Sequence, residues 1–153
     1  MNTSKKTKII LLVLLVVTAL VAVLYLTIRE VVPENTLAVE YDGKTHYADL
    51  QGIRLTEIHG ERVNGKGEVK PVDGMGIPLY DLLTWTLGTD FSATHITVTA
   101  ADGFSAEVTY DEILEENKAV LLLDEEKSSL QLIVFGDSDS KRSVKDVERL
   151  EVE

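Results

Sequence analysis

The feature that most constrains this chain is an uncharged apolar run near its N-terminus, IILLVLLVVTALVAVLYLTI, over residues 9–28. A helix of that length rises about 30 Å, which matches the hydrocarbon thickness of a bilayer. The run therefore predicts a transmembrane helix. Lys5, Lys6 and Lys8 precede it, and because positively charged flanks stay cytoplasmic, we expect the C-terminal part of the chain to be exported.

Two other interpretations of this run are weaker. A cleaved signal peptide has a shorter apolar stretch, of about 7 to 15 residues, and a small-x-small cleavage site, for which Ala19 and Ala22 are wrongly spaced. A core helix that is apolar on every face needs a far larger protein around it. We therefore expect a single-pass cell-membrane protein with four parts: a cytoplasmic N-terminus (1–8), a transmembrane anchor (9–28), a linker (29–35) and an extracytoplasmic domain (36–153).

Composition excludes several classes of function. The 153 residues include no cysteine, so disulfides, thiolate nucleophiles, iron–sulfur clusters and cysteine-based zinc sites are impossible. The formal net charge is −11, which argues against nucleic-acid binding, because phosphate contacts depend on clustered Lys and Arg. Every acidic residue lies from Glu30 onward, so the part beyond the apolar run is more acidic still and is expected to repel anionic lipid.

The rest of the chain predicts one α+β domain, with a mixed, mainly antiparallel sheet and two short helices. Asp-Gly pairs at residues 42–43 and 102–103 interrupt alternating apolar segments, which is typical of hairpins. Pro78 followed by leucines at three- and four-residue steps predicts a first helix that ends at Gly88. Thr109, with a glutamate three residues later, has capping-box spacing and predicts a second helix that begins at Tyr110.

Few motifs in the sequence carry chemistry of their own. The three histidines have no metal-ligand spacing, and we expect each on a different strand. The segment from Asp137 has oxygen donors at three calcium-loop positions, but Lys141 and Arg142 occupy the places of a further ligand and of the required glycine. The free amides of the helix at Pro78, just after Gly76, can hold an anion, although a plain loop is the simpler interpretation. Trp85 lies about a third of a turn from the leucine stripe and is either a flank of the core, which we favour, or an exposed contact residue.

Six segments follow one another in a familiar order: GIPLYDLL (76–83), ITVTA (96–100), ADGF (101–104), AVLL (119–122), LQLIV (130–134) and VKDVERLEV (144–152). In this order the chain resembles the oxidoreductase molybdopterin-binding domain of the sulfite oxidase family, over about residues 36–153. The resemblance implies that family's fold and a cleft for molybdopterin. In the family a cysteine before the Gly-x-Pro-Leu motif binds molybdenum, and this chain has EIHGERVN (57–64) in that region, so ligation by cysteine is excluded.

The resemblance also indicates where a ligand is expected to bind. Arg54, Arg62 and Lys66 are the basic residues nearest the implied cleft, and together with the backbone at Gly76 they are the candidate cofactor-binding residues. We expect a non-catalytic domain that binds a small anionic ligand or a partner protein. The alternative is an oxidoreductase subunit that binds molybdopterin or another redox cofactor without a cysteine ligand and passes electrons to a membrane redox partner.

Overall fold

The computed structural model describes residues 3–28 and 35–153, with the side chains of the first segment described for residues 7–23. The chain divides into two compact units, Met1–Pro33 and Glu34–Glu153. The first unit contains a single described element, helix α1 (Thr3–Ile28), whose large apolar side chains from Ile9 to Val23 are exposed.

The prediction of a transmembrane anchor at residues 9–28 is not supported. Among the residues whose side chains are described, no helix is long and apolar enough to cross a membrane. On this finding the predicted transmembrane helix is wrong, and so is the single-pass cell-membrane location that depended on it.

The second unit is a sheet-rich α+β fold. Its elements are β1 (Thr36–Tyr41), β2 (Lys44–Asp49), β3 (Thr56–Val63), β4 (Val69–Pro78), α2 (Leu79–Leu87), β5 (His95–Ala100), β6 (Ser105–Thr109), α3 (Tyr110–Leu114), β7 (Ala119–Asp124), β8 (Ser129–Val134) and β9 (Val147–Val152). The described residues therefore hold nine strands and, after α1, two short helices.

The strands form two sheets, which corrects the prediction of a single one. The five-stranded sheet has the order β2-β1-β9-β5-β6, and the four-stranded sheet has the order β3-β4-β7-β8. All described pairings are antiparallel except that of β1 with β9. Strand β4 runs directly into α2 after Pro78, and the next strand, β5, pairs with β6 and β9 in the other sheet.

Local turn and capping signals gave several elements correctly. Asp42 and Gly43 both have positive φ, 49° and 69°, as a tight hairpin turn between β1 and β2 requires, so this hairpin is confirmed. The Thr109 hydroxyl accepts the amide of Glu112 while the Glu112 carboxylate accepts the amide of Thr109, which confirms the capping box of α3. Helix α2 begins one residue later than predicted, at Leu79, since Pro78 ends β4.

One face of each sheet contributes to a common hydrophobic core. The core also takes in the apolar face of α2, with Leu79, Leu82 and Leu83 fully buried, and Ile113 of α3. A smaller cluster of Ile58, Val72, Val120 and Ile133 lies on the opposite face of the four-stranded sheet. Both faces of the four-stranded sheet are therefore apolar.

Candidate functional site

The structure separates the four candidate residues into different places. Arg54 lies in the loop before β3, whereas Arg62 is near the far end of β3 and Lys66 is in the turn beyond it. Strand β3 spans about 23 Å at 3.3 Å per residue, so Arg54 and Lys66 lie at opposite ends of it. The three basic side chains therefore do not converge on one ligand.

Arg62 and Lys66 belong to the hairpin of β3 and β4. Arg62 Nη1 donates to Ser143 Oγ at 3.4 Å, and the Lys66 amide donates to Asn64 Oδ1 at 2.9 Å within the turn. Neither residue lines any of the cavities described below. Their contacts support the hairpin and its approach to the loop before β9.

Gly76 has a packing role in the structure. It lies within β4, opposite Thr56 of β3 and Leu122 of β7. A Cβ atom at this position would lie 2.6 Å from the backbone oxygen of Leu121, which is too close for any side chain. The glycine therefore permits close approach of β4 and β7, and it lies inside the sheet rather than in a loop whose amides face a ligand.

The clearest candidate site is a cleft of about 410 Å³ where the β7–β8 turn meets the loop after β2. Its apolar lining is buried or half-buried and consists of Leu50, Ile53, Leu55, Ile77, Leu123 and Leu130. Its polar lining is exposed and consists of Asn35, Gln51, Glu125 and Ser128. The cleft thus has an aliphatic interior and polar groups on its solvent side, the usual composition of a small-molecule pocket.

A second cavity of about 440 Å³ adjoins this cleft. Ile53 and Ile77 line both of them, and the second cavity adds Arg54, Asp81 and Trp85. Trp85 is 65% exposed, so the favoured core-flank interpretation is wrong, and its use as a contact residue stays a prediction. Of the four candidate residues, only Arg54 lines this cavity.

A third depression, of about 430 Å³, surrounds the β1–β2 turn and is lined by carboxylates, among them Glu40, Asp42, Glu151 and Glu153. Within the described residues, no group of three or more His, Asp or Glu side chains is arranged to hold a metal ion. This acidic depression therefore has the character of a solvated surface.

The strongest ion-pair network surrounds Arg142, in the loop between β8 and β9. Its guanidinium donates to both carboxylate oxygens of Glu112, each at 2.8 Å, and to the carboxylate of Asp137. The hydrogen bond from Arg142, aided by the Thr109 amide, lowers the pKa of Glu112 from 4.5 to about 2. In the sequence Arg142 is notable only because it breaks the calcium-loop pattern, and no local pattern predicts its ion pairs.

Acidic neighbours raise the pKa of His59. Its Nδ1 lies 2.7 Å from Asp73 Oδ1 across the β3–β4 pair, and Glu57 is also near. The hydrogen bond to Asp73 is the main cause that raises the pKa of His59 above 6.5. Both side chains are largely exposed, so this pair acts on the surface of the hairpin rather than inside a site.

Comparison with known protein families and with curated proteins finds no match for this chain. The resemblance to the molybdopterin-binding domain therefore gains no support from these comparisons. The cleft and its neighbouring cavity are the observations from which a function can be argued.

Proposed function

We propose that the unit Glu34–Glu153 is a non-catalytic module that binds a small, mainly apolar molecule in the 410 Å³ cleft. The observation that carries this proposal is the cleft's aliphatic interior, bordered by exposed polar groups. Its volume falls within the range of about 300 to 1,000 Å³ typical of ligand pockets. Strands β4, β7 and β8 and the loop between β2 and β3 supply the apolar wall, so the site depends on segments that only the folded unit brings together.

The lining favours a binding role over a redox role. Glu125 is the charged residue of the cleft, and it disfavours an anionic pterin phosphate there. Arg62 and Lys66, which the resemblance would assign to that phosphate, lie at the other end of β3. The cofactor-binding oxidoreductase subunit consequently has less support than a module for an uncharged or weakly polar ligand.

A neutral apolar fluorophore such as N-phenyl-1-naphthylamine, titrated into the full chain, tests the proposal. We expect saturable binding that Leu55→Lys weakens about tenfold or more, since the substitution puts a cation on the apolar wall of the cleft. The matched control is Leu114→Lys, at a leucine that is 53% exposed and outside the cleft. Background binding to α1 is common to both variants and cancels in the comparison.

A stability measurement gives an independent result. A ligand at 100 times its dissociation constant should raise the free energy of unfolding by about 2.7 kcal/mol in the parent chain. If Leu55→Lys prevents folding, Leu55→Ser provides a milder polar change at the same wall. Absence of saturable binding in the parent chain, or equal affinities for the Leu55 and Leu114 variants, contradicts the proposed function.

A further inference from the structure

We infer that the ligand of this cleft carries a zwitterionic head group, which occupies the cavity of Arg54, Asp81 and Trp85 while the apolar part lies in the cleft. This inference rests on the proposed function and names the ligand class. Its starting point is that Ile53 and Ile77 line both cavities. One molecule can therefore pass from the aliphatic cleft into a neighbouring space that holds charged side chains.

The second cavity is lined by exposed charges of both signs. Within residues 35–153, neither Arg54 nor Asp81 makes a hydrogen bond or ion pair through its side chain, although both line the same cavity. Their charged atoms are thus more than 4.0 Å apart, the limit for an ion pair. A head group with one negative and one positive charge can pair with each of them at once.

Trp85 completes the cation side of this cavity. Asp81 and Trp85 are four residues apart on α2, so their side chains are neighbours on one face of the helix. A carboxylate beside the exposed face of an indole suits a quaternary ammonium, which is attracted by the ring as well as by the charge. Arg54 is then left for the phosphate or carboxylate of the same head group.

The net charge of the unit selects against a simple anion. Residues 34–153 contain 25 acidic and 11 basic residues, and the carboxylates that line the two cavities are those of Asp81 and Glu125. A fatty-acid-like anion would meet repulsion from that field and from Asp81. A simple cation would be repelled by Arg54 in the same cavity. A zwitterion has no net charge, and each of its groups faces an opposite charge in the cavity.

Trp85 also makes the inference measurable, because it is the only tryptophan of the chain. A head group that packs on its ring changes its fluorescence directly. A molecule held only by its tail in the cleft stabilises the protein with little effect on that signal. Thermal unfolding and tryptophan fluorescence therefore report on the two parts of the ligand separately.

The experiment compares four molecules with the same tail on the full chain, below their critical micelle concentrations: octylphosphocholine, octyltrimethylammonium, octanoate and octanol. We expect octylphosphocholine to bind most tightly and to change Trp85 fluorescence. Arg54→Gln should weaken octylphosphocholine about two- to fivefold and leave octyltrimethylammonium no weaker. Asp81→Asn should weaken both of these molecules and strengthen octanoate. Lys66→Gln, a cation at the other end of β3, is the matched control and should change nothing.

The outcomes separate this inference from the proposed function. If all four molecules bind alike and neither the Arg54 nor the Asp81 variant alters them, the head-group inference is overturned and the apolar cleft stands. If octanoate is preferred and only Arg54→Gln matters, the ligand is an anion and the inference is also overturned. If none of the four stabilises the parent chain, the proposed function itself fails.

Discussion

Replacing Arg142 with glutamine removes the cation that two carboxylates share. In the structure Arg142 is 30% exposed, and the side chains of Glu112 and Asp137 are 21% and 17% exposed. The bidentate contact with Glu112 joins the β8–β9 loop to the first turn of α3. In the variant both carboxylates remain half-buried and lose the shared guanidinium, and Glu112 keeps only its capping-box contacts with Thr109, so we expect a large loss of stability for a single polar substitution.

The pKa of Glu112 sets the size of this effect. A fall from 4.5 to about 2 corresponds to about 3 kcal/mol, since each pKa unit is about 1.4 kcal/mol. Screening by solvent at a partly exposed site reduces this, and we expect Arg142→Gln to lower the free energy of unfolding by about 1 to 2 kcal/mol at pH 7. Because the folded pKa is depressed, the stabilisation is complete above pH 4.5 and is lost as the pH falls towards 2.

Equilibrium urea unfolding at pH 7 and at pH 3 measures this dependence. At pH 3 about two fifths of the Glu112 contribution should remain, so the difference between the parent and Arg142→Gln should shrink by more than half. Lys141→Gln is the control, because Lys141 is 87% exposed, and it should cause no measurable change. A difference that is the same at both pH values would refute the assignment of this stability to ionised Glu112.

Two further predictions follow from the β3–β4 hairpin. Gly76→Ala should lower the free energy of unfolding, measured in urea, by about 1 to 3 kcal/mol, because its Cβ would meet the backbone oxygen of Leu121. The control is Gly52→Ala, whose Cβ would have its nearest contact at 3.6 Å and which should be nearly neutral. Equal effects of the two substitutions would contradict the packing argument. In an NMR pH titration the pKa of His59 should lie above 6.5 and fall on Asp73→Asn; a pKa that the substitution leaves unchanged would show that Asp73 does not cause the shift.

The sequence predicted elements whose cause is local. The Asp42-Gly43 turn needs two residues that tolerate positive φ, and the α3 start needs a hydroxyl and a carboxylate three residues apart. Such signals are complete within a few residues, so they can be recognised without knowledge of the fold. The alternation of apolar and polar residues in β5 likewise predicted a strand, but it did not predict which strands pair with β5.

The site depended on pairings that no local pattern specifies. Strand β9 lies between β1 and β5 and is parallel to one and antiparallel to the other, although it is distant from both in the sequence. Arg54 is a candidate from the sequence because it is near the expected cleft. The sequence does not show that Asp81 and Trp85 line the same cavity as Arg54. The sequence shows Gly76 only as a residue just before a helix, whereas its real constraint, the backbone of β7, comes from 45 residues further along.

By itself the sequence determined the absence of thiol chemistry, the strong negative charge and the positions of turns and helix starts, since each of these depends on residue type or on neighbours within one turn. Only the tertiary structure decided that the strands form two sheets, that an aliphatic cleft opens at one end of them, and that Arg142 joins a loop to α3. Those features depend on contacts between residues far apart in the chain, and the free energy that selects them comes from burying whole faces of the sheets together, which no single segment encodes.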